Sequence, residues 1–260
     1  MTRNKSRDAL ATCLGILLIG ILIQAAGIMK GDSLVFPGVP QILSAFVRLI
    51  GTPATWRMIG TTLGHLALSV LISTAIGVAL GMLQGLNDFL RALLKPVMIF
   101  LRSIPMIVLS VIVMVLTAYR RVPVVVTCLV LIPMIAEAAN EGCRRISPEL
   151  IDVYRMNSGL NLRVLVSVYL PLMTGYLRQA WLNAVGMGVR MAVTTEYLVQ
   201  TKNSLGKAIF TSSYFFEYEE IYAYALIMIL LILLVSELPL RILKRVSGEG
   251  PHLFSVQRKH

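Results

Sequence analysis

SPELIDVYRMNSGLN, residues 147–161, is a polar, charged stretch between two long apolar runs. It opens and closes like a helix. Ser147 offers a side-chain oxygen to a free N–H at a helix start, and Pro148 suits the first helical position, where no N–H is needed. Glu149 and Asp152 set negative charge near the positive end of the helix dipole. Gly159 accepts the left-handed conformation that ends a helix. Asn161 reads as the cap of a second helix that continues from Leu162 into apolar sequence. About ten helical residues measure about 15 Å, too short to span a bilayer. Leu150, Ile151, Val153, Tyr154 and Met156 nevertheless cover too much of the circumference for a solvated helix. Something covers them: the chain's own spans, or a docked partner.

The rest of the chain sets the context. Of its 260 residues, 57% are hydrophobic and 14% charged, where a soluble domain carries about a quarter charged residues. The apolar residues come in runs of about 20, the length that crosses a bilayer. An all-α integral membrane protein follows, with membrane lipid as its solvent. Six apolar segments stand out, at about 9–29, 60–86, 96–118, 122–140, 164–195 and 219–240. The first begins like a signal peptide. However, residues 10–29 exceed a usual h-region and Gln24-Ala25-Ala26 is a poor cleavage signal, so it is read as a retained span. Residues 30–58 form a turn-rich outer segment, GDSLVFPGVP. QILSAFVRLI follows, with the spacing of an amphipathic helix that either lies on the outer surface or packs against the spans.

Positive charge orients the spans. Arg3, Lys5 and Arg7; Arg91 and Lys95; Arg144, Arg145, Arg155 and Arg163; and Arg241, Lys244, Arg245, Arg258 and Lys259 fall on one side if each segment crosses once. That side is the cytoplasm, so both termini are cytoplasmic. Arg120 and Arg121 break the rule. The opposite region 196–220 holds Glu196, Glu217, Glu219 and Glu220. This topology accounts for the net charge of +11, and with no basic stripe interleaved with aromatics, nucleic acid is not an expected partner. Three scattered cysteines suggest neither a disulfide framework nor a metal cluster. The absence of a GxxxxGK[ST] loop means that the chain does not bind ATP through that motif.

Gly77, Gly81 and Gly85 recur every four residues and share one helix face. Small residues let helix backbones approach closely in lipid, so this face is a seam, within the subunit or between two copies. Arg178, Arg190, Glu196, Glu237 and His65 are ionisable groups within spans, where they are costly and face inward or serve function. Glu196 and Arg190, six apart, do not share a face. Asn183 and Arg190, seven apart, do, and that face either lines a path for an anionic solute or anchors the helix. His65 has no second ligand three or four residues away and reads as a hydrogen-bonded core histidine. No paired catalytic constellation of the kind a membrane-embedded enzyme needs is visible.

Several of these segments resemble a family. Permease subunits of bacterial ATP-binding-cassette importers carry a cytoplasmic E-A-A…G…I-x-L-P loop. Glu137-Ala138-Ala139 with Gly142 matches it literally but lies too far from Leu170-Pro171. The fitting register sets Asp152-Val153-Tyr154 on E-A-A, Ser158 on the glycine with Gly159 one late, and Val168-Tyr169-Leu170-Pro171 on I-x-L-P. Leu101-Arg102-Ser103-Ile104-Pro105 resembles the LRxIP segment of the nitrate, sulfonate, taurine and thiamine-precursor branch. GVALGMLQGL resembles its GxxLGxxxG, Thr194-Thr195-Glu196 stands at its V-A-E, Ser204-Leu205-Gly206 resembles its turn before the last span, and Val35-Phe36-Pro37-Gly38-Val39-Pro40 its outer F-P-x-P. His65 replaces a usual arginine, and no W-F-G follows the third span.

The resemblance implies a type I ABC importer permease (MetI-like) fold of about six transmembrane helices in the bacterial plasma (inner) membrane. Residues 1–58 would hold the first span and outer segment, and 59–245 the permease domain with a coupling loop at 141–163. Residues 246–260 would form a cytoplasmic tail. The chain would work without a cofactor or an ATPase site of its own, as one of two permease copies, with two ATPase subunits and an extracytoplasmic solute-binding protein. Glu149, Leu150, Asp152, Val153, Tyr154, Met156, Ser158 and Gly159 would couple to the ATPase. Arg102, Pro105, Asn183, Arg190 and Glu196 are the candidates for the translocation path. The alternative is an ATP-independent secondary transporter or channel, which leaves the capped helix unexplained.

Overall fold

A computed structural model describes residues 15, 37–146 and 164–246, and every regular element there is helical. The coupling stretch 147–163, the first apolar segment and the tail 247–260 lie outside the described residues, apart from residue 15.

Helix α1 (Val39–Ile50) starts after an extended Gly38, whose N–H donates to the Gln41 side chain at 2.8 Å. Ile42, Ala45 and Leu49 are buried, while Leu43 and Val47 are exposed. Of the two placements open for this amphipathic segment, the structure adopts the packed one. Arg48 ties it to Glu219 and Glu220 at 3.2 and 2.9 Å.

Helix α2 (Pro53–Leu86) begins seven residues before the apolar run, because Pro53 needs no N–H partner in the first turn. Its 34 residues extend about 51 Å at 1.5 Å per residue, longer than the roughly 30 Å hydrocarbon core.

The third apolar segment is not the single straight span its composition suggests. It divides into α3 (Asp88–Ser103) and α4 (Met106–Leu116), which meet at 103°. Pro105 drives the break. It disfavours the helical region for the preceding residue, and Ile104 is extended at φ −67°, ψ 127°. Asn87 caps α3 by accepting from the N–H groups of Phe89 and Leu90.

A 3₁₀ turn at Tyr119–Arg121 leads into α5 (Val122–Arg144). After the undescribed stretch come a π turn (Leu165–Tyr169), a three-residue α6 (Leu170–Leu172), α7 (Thr174–Val199), α8 (Leu205–Tyr214) and α9 (Tyr218–Val246). The fifth apolar segment is thus broken near its start: Pro171 follows the π turn, and Met173 separates α6 from α7. Among the described residues three helices are long and apolar enough to cross a membrane, and the α3–α4 pair makes a fourth if it counts as one bent span. Helix α7 has the length, at 26 residues, but not the apolarity.

The centre of the bundle is the parallel pair α2 and α5. Every fourth residue of α2 from 69 to 85 is small, and each faces α5. Ser69 Oγ donates to the Val124 carbonyl and Ser73 Oγ to the Cys128 carbonyl. A Cβ on Gly77 would lie 2.9 Å from the Ile135 Cβ, one on Gly81 would overlap the Ala136 carbonyl and the Ala139 Cβ, and one on Gly85 would lie 2.6 Å from the Cys143 Cβ. The glycine stripe therefore faces a helix of its own chain. Helix α7 runs antiparallel across this pair. Gly188 abuts Leu66 and Leu131, and Trp181 Nε1 donates to Thr74 Oγ1 at 3.1 Å.

Gly81→Ala is expected to destabilise the bundle by about 1–3 kcal/mol, the cost of overpacking a tight contact. Gly60, where among the described residues no atom outside its own helix backbone comes within 4 Å of an added Cβ, is the control. Its alanine variant should unfold in denaturing detergent as the wild type does, and equal midpoints for the two variants would refute the seam.

Candidate functional site

At one end of the bundle the chain segments flanking residues 147–163 are held together. Asp88, at the start of α3, pairs with Arg144 at 2.8 Å and with Arg91 at 3.2 Å, joining the turn after α2 to the end of α5. Gly142 sits against the Cβ atoms of Met173 and Tyr176, each 3.2–3.3 Å from where its own Cβ would stand. The Arg145 guanidinium lies 5.7 Å from the Tyr176 ring centroid, while also pairing with Glu141. The literal E-A-A…G match therefore sits in helix packing: Ala139 meets Gly81, Gly142 meets α7, and Glu137 pairs with Arg102.

Between α2, α3 and α5 at this end is a cavity of about 520 Å³, lined in part by Gln84, Arg91, Lys95, Arg102, Glu137 and Asn140. Arg102 also donates to the Pro133 carbonyl at 2.8 Å, which fastens α3 to α5 just before the Pro105 bend. Gln84 Nε2 and Asn140 Oδ1 are buried without a hydrogen-bond partner among the described residues.

At the other end Glu196 of α7 is fully buried. Its Oε2 accepts from the Thr62 hydroxyl at 2.8 Å and from the Gly206 N–H at 3.3 Å. Its Oε1 is 2.7 Å from His65 Nδ1. Thr62 Oγ1 in turn accepts from the Leu205 N–H at 3.1 Å. The carboxyl thus binds α2, α7 and the start of α8 together. A buried carboxyl group is costly unless it is hydrogen-bonded, and here three hydrogen-bonding groups surround it.

The turn that makes this possible is local. Gln200, at φ 55°, ends α7 in the left-handed region, and Ser204 caps α8 by accepting from the Lys207 N–H. Gly206 must be glycine, since an added Cβ would lie 2.5 Å from the Glu196 Cβ and from the Val193 carbonyl. Ser204-Leu205-Gly206, picked out in sequence as a turn, is thus the backbone partner of Glu196.

Beside this cluster lies a second cavity of about 350 Å³. Thr61, His65, Tyr119 and Arg120 form one part of its lining; Thr201, Lys202 and Asn203 form the other.

The remaining residues singled out from sequence do not converge on one site. Glu149, Leu150, Asp152, Val153, Tyr154, Met156, Ser158 and Gly159 lie outside the described residues. Arg102 and Pro105 are exposed at the α3–α4 bend, and Asn183 and Arg190 are exposed on α7. Asn183 accepts from Gln179 Nε2 at 3.4 Å. Glu196 points into the bundle, apart from them. Sequence reasoning missed Thr62 as its partner, although Thr62 and His65 stand three apart, on one face of α2. Among the described residues no group of three or more His, Cys, Asp or Glu is placed to hold a metal ion.

The fold is that of an all-helical inner-membrane transport component. It is similar to a chain of the MetNI methionine ABC transporter solved in inward-facing conformations, with a TM-score of 0.62, 19% identity, and coverage of 74% of this chain and 93% of that one. No curated protein matches the sequence. The model of the binding-protein-dependent transport system inner membrane component family matches residues 73–247, and the chain belongs to that family. It is a multi-pass inner-membrane permease subunit of a binding-protein-dependent ABC importer, the transmembrane component and not the ATPase. The family implies an ATPase and a binding protein as partners.

Glu196→Ala strands the groups around a buried carboxylate and is expected to cost about 3–5 kcal/mol. Glu196→Gln keeps an acceptor for Thr62 and Gly206 and should cost clearly less. Unfolding midpoints of the two purified variants give the order, and the reverse order would deny Glu196 this bridging role.

Proposed function

We propose that the chain imports a small solute of the nitrate, sulfonate, taurine or thiamine-precursor kind by alternating access, driven by a separate ATPase through the helix at 148–158. The observation that carries this reading is the capped helix in the sequence, together with the clamped base from which its segment emerges. Residues 141–146 and 164–176 are held by Gly142 against Met173 and Tyr176, and by Arg145 over Tyr176. A force on a loop with so firm a base passes into α5 and α7 instead of being lost in the loop.

In this reading the Asp88 and Arg144 end is cytoplasmic, the Glu196 end faces the solute-binding protein, and both termini are cytoplasmic with six spans in all. The permease works as a dimer with two ATPase subunits. ATP binding closes the ATPase pair and moves the 148–158 helices. The clamp carries that motion to α5 and α7, and the parallel seam makes α2 move with α5. The resemblance of Leu101-Arg102-Ser103-Ile104-Pro105, of GVALGMLQGL and of the turn at Ser204-Leu205-Gly206 to one branch supports the solute class. Arg102, Pro105, Asn183 and Arg190 line the path in this reading, and Glu196 holds its outer end closed by bridging α2, α7 and α8.

Native mass spectrometry of the gently extracted complex tests the assembly. Two permease copies, or one copy and a homologous partner, with two ATPase subunits are expected. A chain that appears alone or only with itself would favour the ATP-independent alternative. Gly159→Pro and Tyr154→Glu should each abolish ATPase association while leaving the chain inserted. Normal association and uptake in both variants would exclude the coupling role.

A further inference from the structure

Arg120 breaks the positive-inside pattern, and nothing described so far accounts for it. It sits in the 3₁₀ turn before α5 and lines the 350 Å³ cavity together with Lys202, from the turn after α7. Neither cation has an ion-pair partner among the described residues. The same cavity is lined by Thr201, only 3% exposed, whose Oγ1 is buried and has no hydrogen-bond partner among the described residues. Thr201 is held firmly: its N–H donates to the Glu196 carbonyl and its carbonyl accepts from Ser204 Oγ.

A buried hydroxyl left unpaired costs free energy that a ligand oxygen recovers. Two unpaired cations beside it attract negative charge, and arginine and hydroxyl donors together match the oxygens of a tetrahedral or planar oxyanion. The volume falls within the range of small-molecule sites. His65 forms another part of the wall, with Nδ1 held by Glu196.

We infer that this cavity is an anion-binding site for the oxyanion group of a small solute, with Arg120 and Lys202 supplying the charge and Thr201 a hydroxyl donor. That the anion is the transported solute rests on the importer reading above. The site's position then follows: it lies at the Glu196 end, where the binding protein delivers, and it abuts the cluster that joins α2, α7 and α8. Occupancy at Thr201 touches the turn whose next residues bond Glu196, so a bound anion is placed to signal arrival to the closed end of the bundle.

The test uses the full-length chain in phosphatidylcholine nanodiscs. Its unfolding temperature is followed while sulfate, methanesulfonate, phosphate or acetate replaces chloride at constant ionic strength. A ligand that binds only the folded state raises the midpoint in a saturable way. At least one of the four anions is expected to do so. Arg120→Gln and Lys202→Gln should each raise the half-saturating concentration about tenfold, the effect of losing one charge-assisted contact. Thr201→Val should leave the anion-free midpoint unchanged or higher, because it removes an unpaired buried hydroxyl, yet weaken the anion response about threefold or more.

A wild type indifferent to all four anions, or variants that respond as the wild type does, would overturn the site. The titration needs no ATPase, so the two readings fail separately. A chain that assembles with an ATPase but ignores the anions loses only the site. One that binds an anion through these residues but never assembles with an ATPase loses only the importer mechanism.

Discussion

Close approach of two helix backbones is the constraint on which the rest of the structure depends. In lipid there is no hydrophobic drive between helices, so association rests on packing and on hydrogen bonds. Helix α2 meets this with a small residue every fourth position, from Ser69 through Ser73, Gly77 and Gly81 to Gly85, and α5 lies directly against that stripe. The parallel direction of the pair requires the chain to return across the bundle between them. That return is the bent α3–α4 element, broken at Pro105 and fastened to α5 by Arg102. The seam thus dictates where the broken helix lies and which cavity forms beside it.

The second constraint is a single buried carboxylate. Glu196 sits where α7 ends, and its three hydrogen-bond partners come from α2 and from the turn that starts α8. Helix ends carry unpaired N–H groups. The Gly206 and Leu205 N–H groups of α8 find their partners in Glu196 and Thr62, so one cluster satisfies a helix start and a buried acid together. Such a joint is expensive to break. It also fixes Thr201 and Lys202 beside Arg120, residues far apart in sequence.

The two ends of the bundle therefore differ in kind. At the Asp88 end exposed ion pairs, each contributing little alone, add to apolar packing of Gly142 and Cys143 against Met173 and Tyr169. At the Glu196 end the contacts are buried and convergent.

Much of this was legible in the sequence, and the reason is periodicity. Runs of about 20 apolar residues announce helices in lipid, and a four-residue glycine repeat announces a seam, because each is a property of neighbours along one helix. What covers a face, and which distant group meets it, is not such a property. The glycine stripe could not name α5 as its partner, nor could Glu196 name Thr62, since those partners are over fifty and over a hundred positions away. The 103° bend escaped a reading by hydropathy, which is indifferent to direction. By itself, then, the sequence determined an all-helical membrane chain, its family and its seam-forming face. Only the tertiary structure decided the partners of that face, the burial of Glu196 and the meeting of Arg120 with Thr201 and Lys202, because those follow from how helices of different lengths and breaks stack, which no local pattern encodes.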